Sequence, residues 1–162
     1  MKIYYNFDIP GKLKNSILLI GNFDGLHVGH QKLFNLAKKF KKKFKSKIGV
    51  ITFEPMPKMY FNKNLKNFRI SNLNQKKEIL KNFGTDFLII KKFNKKFSKI
   101  KSLDFIKKIL YQKLNTKFIF VSSNFRFGNK REGDIKQLTS YERIFRYKLI
   151  KPKPLKLRKK IV

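Results

Sequence analysis

Short apolar runs alternate with longer amphipathic stretches along this chain. Positions 17–20 (Ile-Leu-Leu-Ile) predict a buried strand, which stops at the turn-rich run Gly21-Asn22-Phe23-Asp24-Gly25. Leu33, Phe34, Leu36, Ala37, Phe40 and Phe44 then recur at helical spacing. A second strand is expected over 48–53, and Pro55 and Pro57 bar its continuation. Leu73, Ile79, Leu80 and Phe83 mark a helix starting at Ser71 or Asn72 and stopping at Gly84. Further strands are expected over 87–90, 118–121 and 147–150. Between them lie one helix capped by Ser102 and carrying Phe105 to Leu114, and another running from Asp134 to about Phe145.

Strand–helix alternation of this kind predicts an α/β protein with a mostly parallel five-stranded sheet flanked by helices. Ligands of such sheets bind beyond the carboxyl ends of the strands, here after Ile20, Phe53, Ile90, Val121 and Ile150. Residues 1–150 read as one domain and 151–162 as a basic tail, extended by Pro152 and Pro154. The Lys41-Lys42-Lys43 cluster is expected at a helix end, where positive charge suits the dipole.

Composition narrows the chemistry. Without cysteine, disulfides, thiolate metal sites and cysteine nucleophiles are excluded. No apolar run approaches the ~20 residues of a membrane span, and the first 20 residues lack a signal peptide's order, so a cytoplasmic protein is expected. The net charge of +32 suggests a nucleic-acid binder. However, Lys, Asn, Ile, Phe and Tyr, all with A/T-rich codons, make up over half the chain, and Lys outnumbers Arg 35 to 6. Codon drift explains that excess better than base readout, which favours the planar Arg fork. Nucleic-acid contact is therefore expected to be non-specific.

Both histidines of the chain, His27 and His30, fall between the glycine loop and the following helix. Three residues apart at a helix start, they stand near exposed backbone N–H groups, where an anion binds, and Gly25 and Gly29 permit close approach of a phosphate. A metal site is poorly supported, because the loop offers no acid beyond Asp24.

The run Gly21-Asn-Phe-Asp-Gly-Leu-His-Val-Gly-His30 resembles the HxGH signature of the nucleotidyltransferase superfamily, and its prefix resembles the FMN adenylyltransferase domain of the bacterial bifunctional riboflavin kinase/FAD synthetase family. Three more segments agree in order. Thr52-Phe-Glu-Pro-Met-Pro57 is similar to the family's TFEPHP loop, with Met56 where His is usual. Arg69-Ile-Ser71 is similar to its RLT segment, and Asn124-Phe-Arg-Phe-Gly128 with Gly133-Asp134 to its (D/N)FRFG…GD segment. The resemblance implies a Rossmann-like nucleotidyltransferase fold and adenylyl transfer from ATP to FMN, with magnesium bridging phosphate oxygens and no metal-binding residue assigned.

The resemblance further implies His27 and His30 as catalytic donors to ATP phosphates. Gly21, Asn22, Phe23, Asp24, Gly25, Gly29 and Arg69 would shape or bind the phosphate site. Pro55, Pro57, Phe61, Asn124 and Phe127 would bind the flavin. Plainer roles compete. Among 18 Phe residues, Phe61 and Phe127 are equally ordinary core, Asp24 is equally a helix cap and Arg69 equally a surface charge. Another phosphorylated acceptor, or a non-catalytic nucleic-acid-binding role, stands as the alternative function. In the family an SSTxIR phosphate clamp follows the last strand. The sequence stops at Val162 before its place, so a fragment or an eroded gene product with a loose tail and weak ATP binding is expected. The family's kinase domain, a separate β-barrel, is expected to be absent, and riboflavin phosphorylation with it.

Overall fold

The computed structural model describes residues 1–65 and 70–151. Six strands form one parallel sheet: β1 (Lys2–Tyr4), β2 (Ile17–Ile20), β3 (Ile48–Glu54), β4 (Phe87–Lys92), β5 (Phe118–Phe120) and β6 (Lys148–Ile150), in the order β1-β4-β3-β2-β5-β6. The sheet thus has one strand more than the pattern predicts. Only Ile3 of β1 is apolar with a β-branched side chain. The strand exists because the open edge of β4 accepts it, pairing Lys2 with Phe87 and Tyr4 with Ile89.

The central strands are apolar on both faces because both are covered. Ile17, Leu19, Val50, Leu88 and Phe120 meet Leu33, Phe34 and Ala37 of α1 (Val28–Phe44) and Leu80 of α3 (Leu73–Asn82). Leu18, Ile20, Ile51, Phe87 and Ile119 face the other way. They pack on the helix that begins as α5 (Ser102–Asp104) and widens into π-helical turns over Phe105–Lys113. That face is completed by α6 (Ile135–Ser140) and α7 (Glu142–Phe145), with Leu138 and Phe145 buried.

Capping agrees with the sequence in part. Asn72 and Gln75 form a reciprocal capping box at α3, and Gly84 lies just past its end at φ +86°. Asp134 caps α6 by accepting from Gln137 N. The helix expected to run on to Phe145 is instead two short helices, broken at Tyr141. Ser102 does not cap. It is the first helical residue, and its N–H is taken by the Glu132 carboxylate at 2.8 Å. Two short helices escaped the pattern: α2 (Pro57–Phe61), with Pro57 in its first turn, and α4 (Lys95–Ser98). Lys41, in the last turn of α1, also grips Asp86 at 2.8 Å, and Asp86 accepts from Ile48 N at the start of β3.

Strands β2, β3 and β4 run outward in one direction, and β5 and β6 lie on the other side of β2. The winding reverses beside β2, and there the loops leaving β2 and β5 diverge to open a crevice. Of the expected basic tail, only Lys151 lies among the described residues.

Candidate active site

The loop from β2 to α1 crosses the carboxyl edge of the sheet under three restraints. Gly21 N donates to Ile51 O at 3.1 Å, and the buried Thr52 hydroxyl donates to Asn22 O at 3.3 Å. Phe23 turns inward at φ +47°, only 3% exposed, and packs edge-on against Phe34. Its ring also supports His30 from the side, with centroids 5.2 Å apart.

His27 is the N-cap of α1, and its Nδ1 accepts from Gly29 N at 3.1 Å. That bond decides the tautomer of the neutral ring, placing its proton on Nε2. His30 stacks on His27, with centroids 3.7 Å apart and planes inclined by 23°. Burial, and secondarily the neighbouring His27, depress the His30 pKa to about 4. At neutral pH the ring is therefore uncharged, and its Nδ1 is buried without a hydrogen-bond partner.

This sets a pH dependence. The unfolded chain protonates His30 near pH 6.5, whereas the folded chain resists until about pH 4. Stability from this group is complete above 6.5 and declines as the pH falls from 6.5 towards 4. The urea midpoint is expected to drop over that interval, and His30→Gln to drop less. Parallel pH profiles for the two proteins would contradict the assignment.

Asp24 does not cap α1, contrary to one expectation. Its carboxylate accepts from Ile70 N and Ser71 N, each at 2.9 Å, and from the Ser71 hydroxyl at 3.1 Å. Burial pushes its pKa up, but these bonds and the Lys76 charge outweigh it and hold the carboxyl below the usual carboxylate value. Asp24 thus ties the segment before α3 to the loop before α1. Gly25 belongs to the same junction. At φ +66° it lies so close to Ile70 that a Cβ would come within 2.7 Å of that side chain. It does not line the histidine crevice.

The crevice has a volume of about 830 Å³. Gly21, Asn22, Phe23, Asp24, His27, Gly29 and His30 line one side, and residues 122–126 the other. Lys32, Arg126 and Arg131 bring positive charge to it. A second compartment of about 580 Å³ adjoins it, walled by Phe53, Phe61, Phe93, Phe97, Phe105 and Phe127. Asn22, Phe53, Pro57, Phe125, Arg126 and Arg131 line both, so the two are continuous.

Of the residues expected to bind flavin, Pro57, Phe61 and Phe127 line the aromatic compartment. Phe127 is 7% exposed and stacks near-parallel with Phe125. Asn124 lines the histidine crevice instead, its Oδ1 accepting from Ser122 Oγ at 2.9 Å. Pro55 lines neither. Arg69 lies outside the described residues. Sequence reasoning missed Lys32, Phe93, Phe97, Arg126 and Arg131. Arg126 sits inside the Asn124–Gly128 motif and was within reach, whereas Phe93 and Phe97 carry no signal in a chain with so many phenylalanines.

A family model described as FAD synthetase matches residues 9–162. The chain belongs to the FAD synthetase family. It is 39% identical over 141 residues to the bifunctional riboflavin kinase/FMN adenylyltransferase of Buchnera aphidicola subsp. Acyrthosiphon pisum, covering 87% of this chain and 45% of that protein. To the protein of the same name from Escherichia coli K12 it is 35% identical, covering 73% and 38%. The chain thus spans less than half the length of these curated relatives. Among solved structures, a macrolide-efflux protein from Streptococcus pneumoniae superposes with a TM-score of 0.76 at 26% identity, covering 94% of this chain and 49% of that one. Among the described residues, no helix is long and apolar enough to cross a membrane. Pantoate-beta-alanine ligase from Francisella tularensis, crystallised with a β-γ ATP ligand and β-alanine, shares the fold at a TM-score of 0.58 and 16% identity, covering 94% and 66%. A FAD synthetase fold, with its histidine loop at the reversal of the sheet, is therefore in place.

Proposed function

We propose that this chain transfers the adenylyl group of ATP to the phosphate of FMN, giving FAD and pyrophosphate. One arrangement carries the reading: the stacked His27–His30 pair opens from a cationic crevice directly into a phenylalanine-walled compartment. The first suits a polyphosphate, the second a flat apolar ring.

A phosphate oxygen of FMN attacks the α-phosphorus of ATP. The bond from that phosphorus to the α–β bridging oxygen breaks, and its electron pair leaves with pyrophosphate. The substrate is its own nucleophile, so the protein's work is alignment and charge stabilisation. The Nε2–H of His27 donates to a phosphate oxygen while its Nδ1 stays committed to Gly29 N. A phosphate oxygen at His30 Nε2 gives that ring's proton a partner, which Nδ1 lacks. Lys32, which also lines the crevice, adds positive charge near the same oxygens.

The described residues do not fit a resident metal. Among the described residues no group of three or more His, Cys, Asp or Glu side chains is placed to hold one, and both Asp24 oxygens accept bonds from Ile70 and Ser71. Magnesium enters this reading only as part of its ATP substrate. Residues 1–150 act as the adenylyltransferase domain in this reading and 151–162 as a basic tail. The cytoplasm, where both substrates are at hand, is the location that goes with it.

Incubation of the chain with FMN, ATP and magnesium is expected to yield FAD by chromatography, with pyrophosphate in equal amount. Quenching of FMN fluorescence should saturate without ATP. No FAD, from this chain or from one extended by an SSTxIR-type segment, would overturn the reading.

A further inference from the structure

We infer that Arg126 and Arg131 bind the acceptor's phosphate as it passes between the two compartments, and so select a phosphorylated flavin over its unphosphorylated parent; this rests on the adenylyl-transfer reading above. A flavin mononucleotide is a flat ring at one end and a dianion at the other. With its ring among the phenylalanines and its phosphate directed at the ATP held beside His27 and His30, its phosphate end must reach through the junction. Among the described residues, six line both compartments, and only Arg126 and Arg131 of these are charged. In a chain where Lys outnumbers Arg 35 to 6, two of the six arginines stand here. Guanidinium is the group that meets phosphate through two parallel N–H donors.

Arg126 is oriented without being used up, and Arg131 is exposed. Arg126 Nη1 lies 3.9 Å from Asp134 Oδ2, longer than a hydrogen-bonded pair, and Asp134 Oδ1 already accepts from Gln137 N. Arg131 sits in a strained segment. Lys130 and Arg131 are consecutive non-glycine residues in the left-handed region, at φ +52° and +57°. Surrounding bonds hold them there. Phe127 and Gly133 exchange N–H···O bonds of 3.1 and 2.8 Å, Asn129 N donates to Ile100 O at 2.7 Å, and the Glu132 carboxylate accepts from Ser102 N. These clamps keep an unfavourable backbone in a conformation that brings Arg131 to the junction.

The test compares FMN with riboflavin by fluorescence quenching on the full chain. The unaltered protein is expected to prefer FMN. Arg126→Ala and Arg131→Ala should each weaken FMN by roughly 10- to 100-fold, the range for losing a charge-assisted bond, while riboflavin affinity stays within about twofold. Arg131→Gly guards against a folding defect: it removes the same guanidinium but relaxes the backbone, so it should melt no lower than the unaltered protein and still lose the FMN preference. Arg131→Lys, which keeps the charge without the fork, should recover only part of it. If the unaltered protein makes FAD and prefers FMN, and both alanine variants keep that preference, this inference fails alone. Equal affinity of the unaltered protein for the two flavins would also overturn it. If the unaltered protein binds neither flavin, the adenylyl-transfer reading fails first and this one with it.

Discussion

Alanine at His27 or at His30 is expected to slow FAD formation by roughly 100- to 1,000-fold, while FMN affinity changes by less than about threefold. The size follows from the role proposed for the two rings. A preorganised donor aimed at charge that develops in the transition state is worth ~3 kcal/mol of barrier, because it needs no reorganisation when that charge appears. The selectivity follows from position: both rings line the cationic crevice, and neither lines the phenylalanine compartment. His27 has a second job as the N-cap of α1, so His27→Ala mixes two losses. His27→Asn separates them, since asparagine restores a good cap but not the ring. It should be as slow as His27→Ala and more stable. The two rings stack at 3.7 Å, so the double variant should lose less than the sum of the two barriers. Single-turnover rates within tenfold of the unaltered protein for either alanine variant would remove the histidines from the chemistry.

Gly49→Ala is expected to destabilise the fold by ~3 kcal/mol, at the upper end of the usual overpacking range, lowering the melting temperature by roughly 6–12 °C for a domain of this size. Gly49 is in β3, in register with Phe87 of β4. A Cβ there would stand 2.2 Å from Phe87 Cζ and under 3 Å from two further ring atoms. The ring cannot swing away, because Phe87 is fully buried among the residues packed on the π-helical stretch. The missing side chain at 49 is the space that the ring occupies. A smaller neighbour should therefore rescue the substitution: Gly49→Ala should lose clearly less stability in a Phe87→Leu background than in the native one. Additive losses in that double-mutant cycle would show that the clash is relieved elsewhere.

The tertiary arrangement bears on how activity and stability are divided along the chain. The histidines open α1, at the end of a loop that Ile51, Thr52 and the Phe23 ring restrain. The strain at Lys130 and Arg131 is confined to a segment clamped at both ends. Substitutions in the core, such as Gly49→Ala, are thus expected to lower stability before they lower the rate per folded molecule. Substitutions at the histidines should do the reverse.

Much of this was legible in the one-dimensional pattern because its causes are local. Apolar runs located the five strands after β1 to within a residue or two, since strands of a sheet covered on both faces are largely apolar. The only two histidines, opening the helix that follows a glycine loop, marked the candidate site, and the four ordered motifs marked the family. What the pattern could not hold were pairings between distant segments. The edge strand Lys2–Tyr4 has one β-branched apolar residue and exists through its hydrogen bonds to β4. Asp24 looks like a helix cap in sequence, yet its partners Ile70 and Ser71 lie more than 40 residues away. Asn124 reads as part of one flavin motif, but its loop places it in the histidine crevice while Phe127, three residues on, lines the aromatic compartment. The joining of those compartments through Arg126 and Arg131 is set by where β5 lands beside β2. Periodicity and breakers are written residue by residue, whereas a site wall made from two loops a hundred residues apart exists only once the sheet between them has closed.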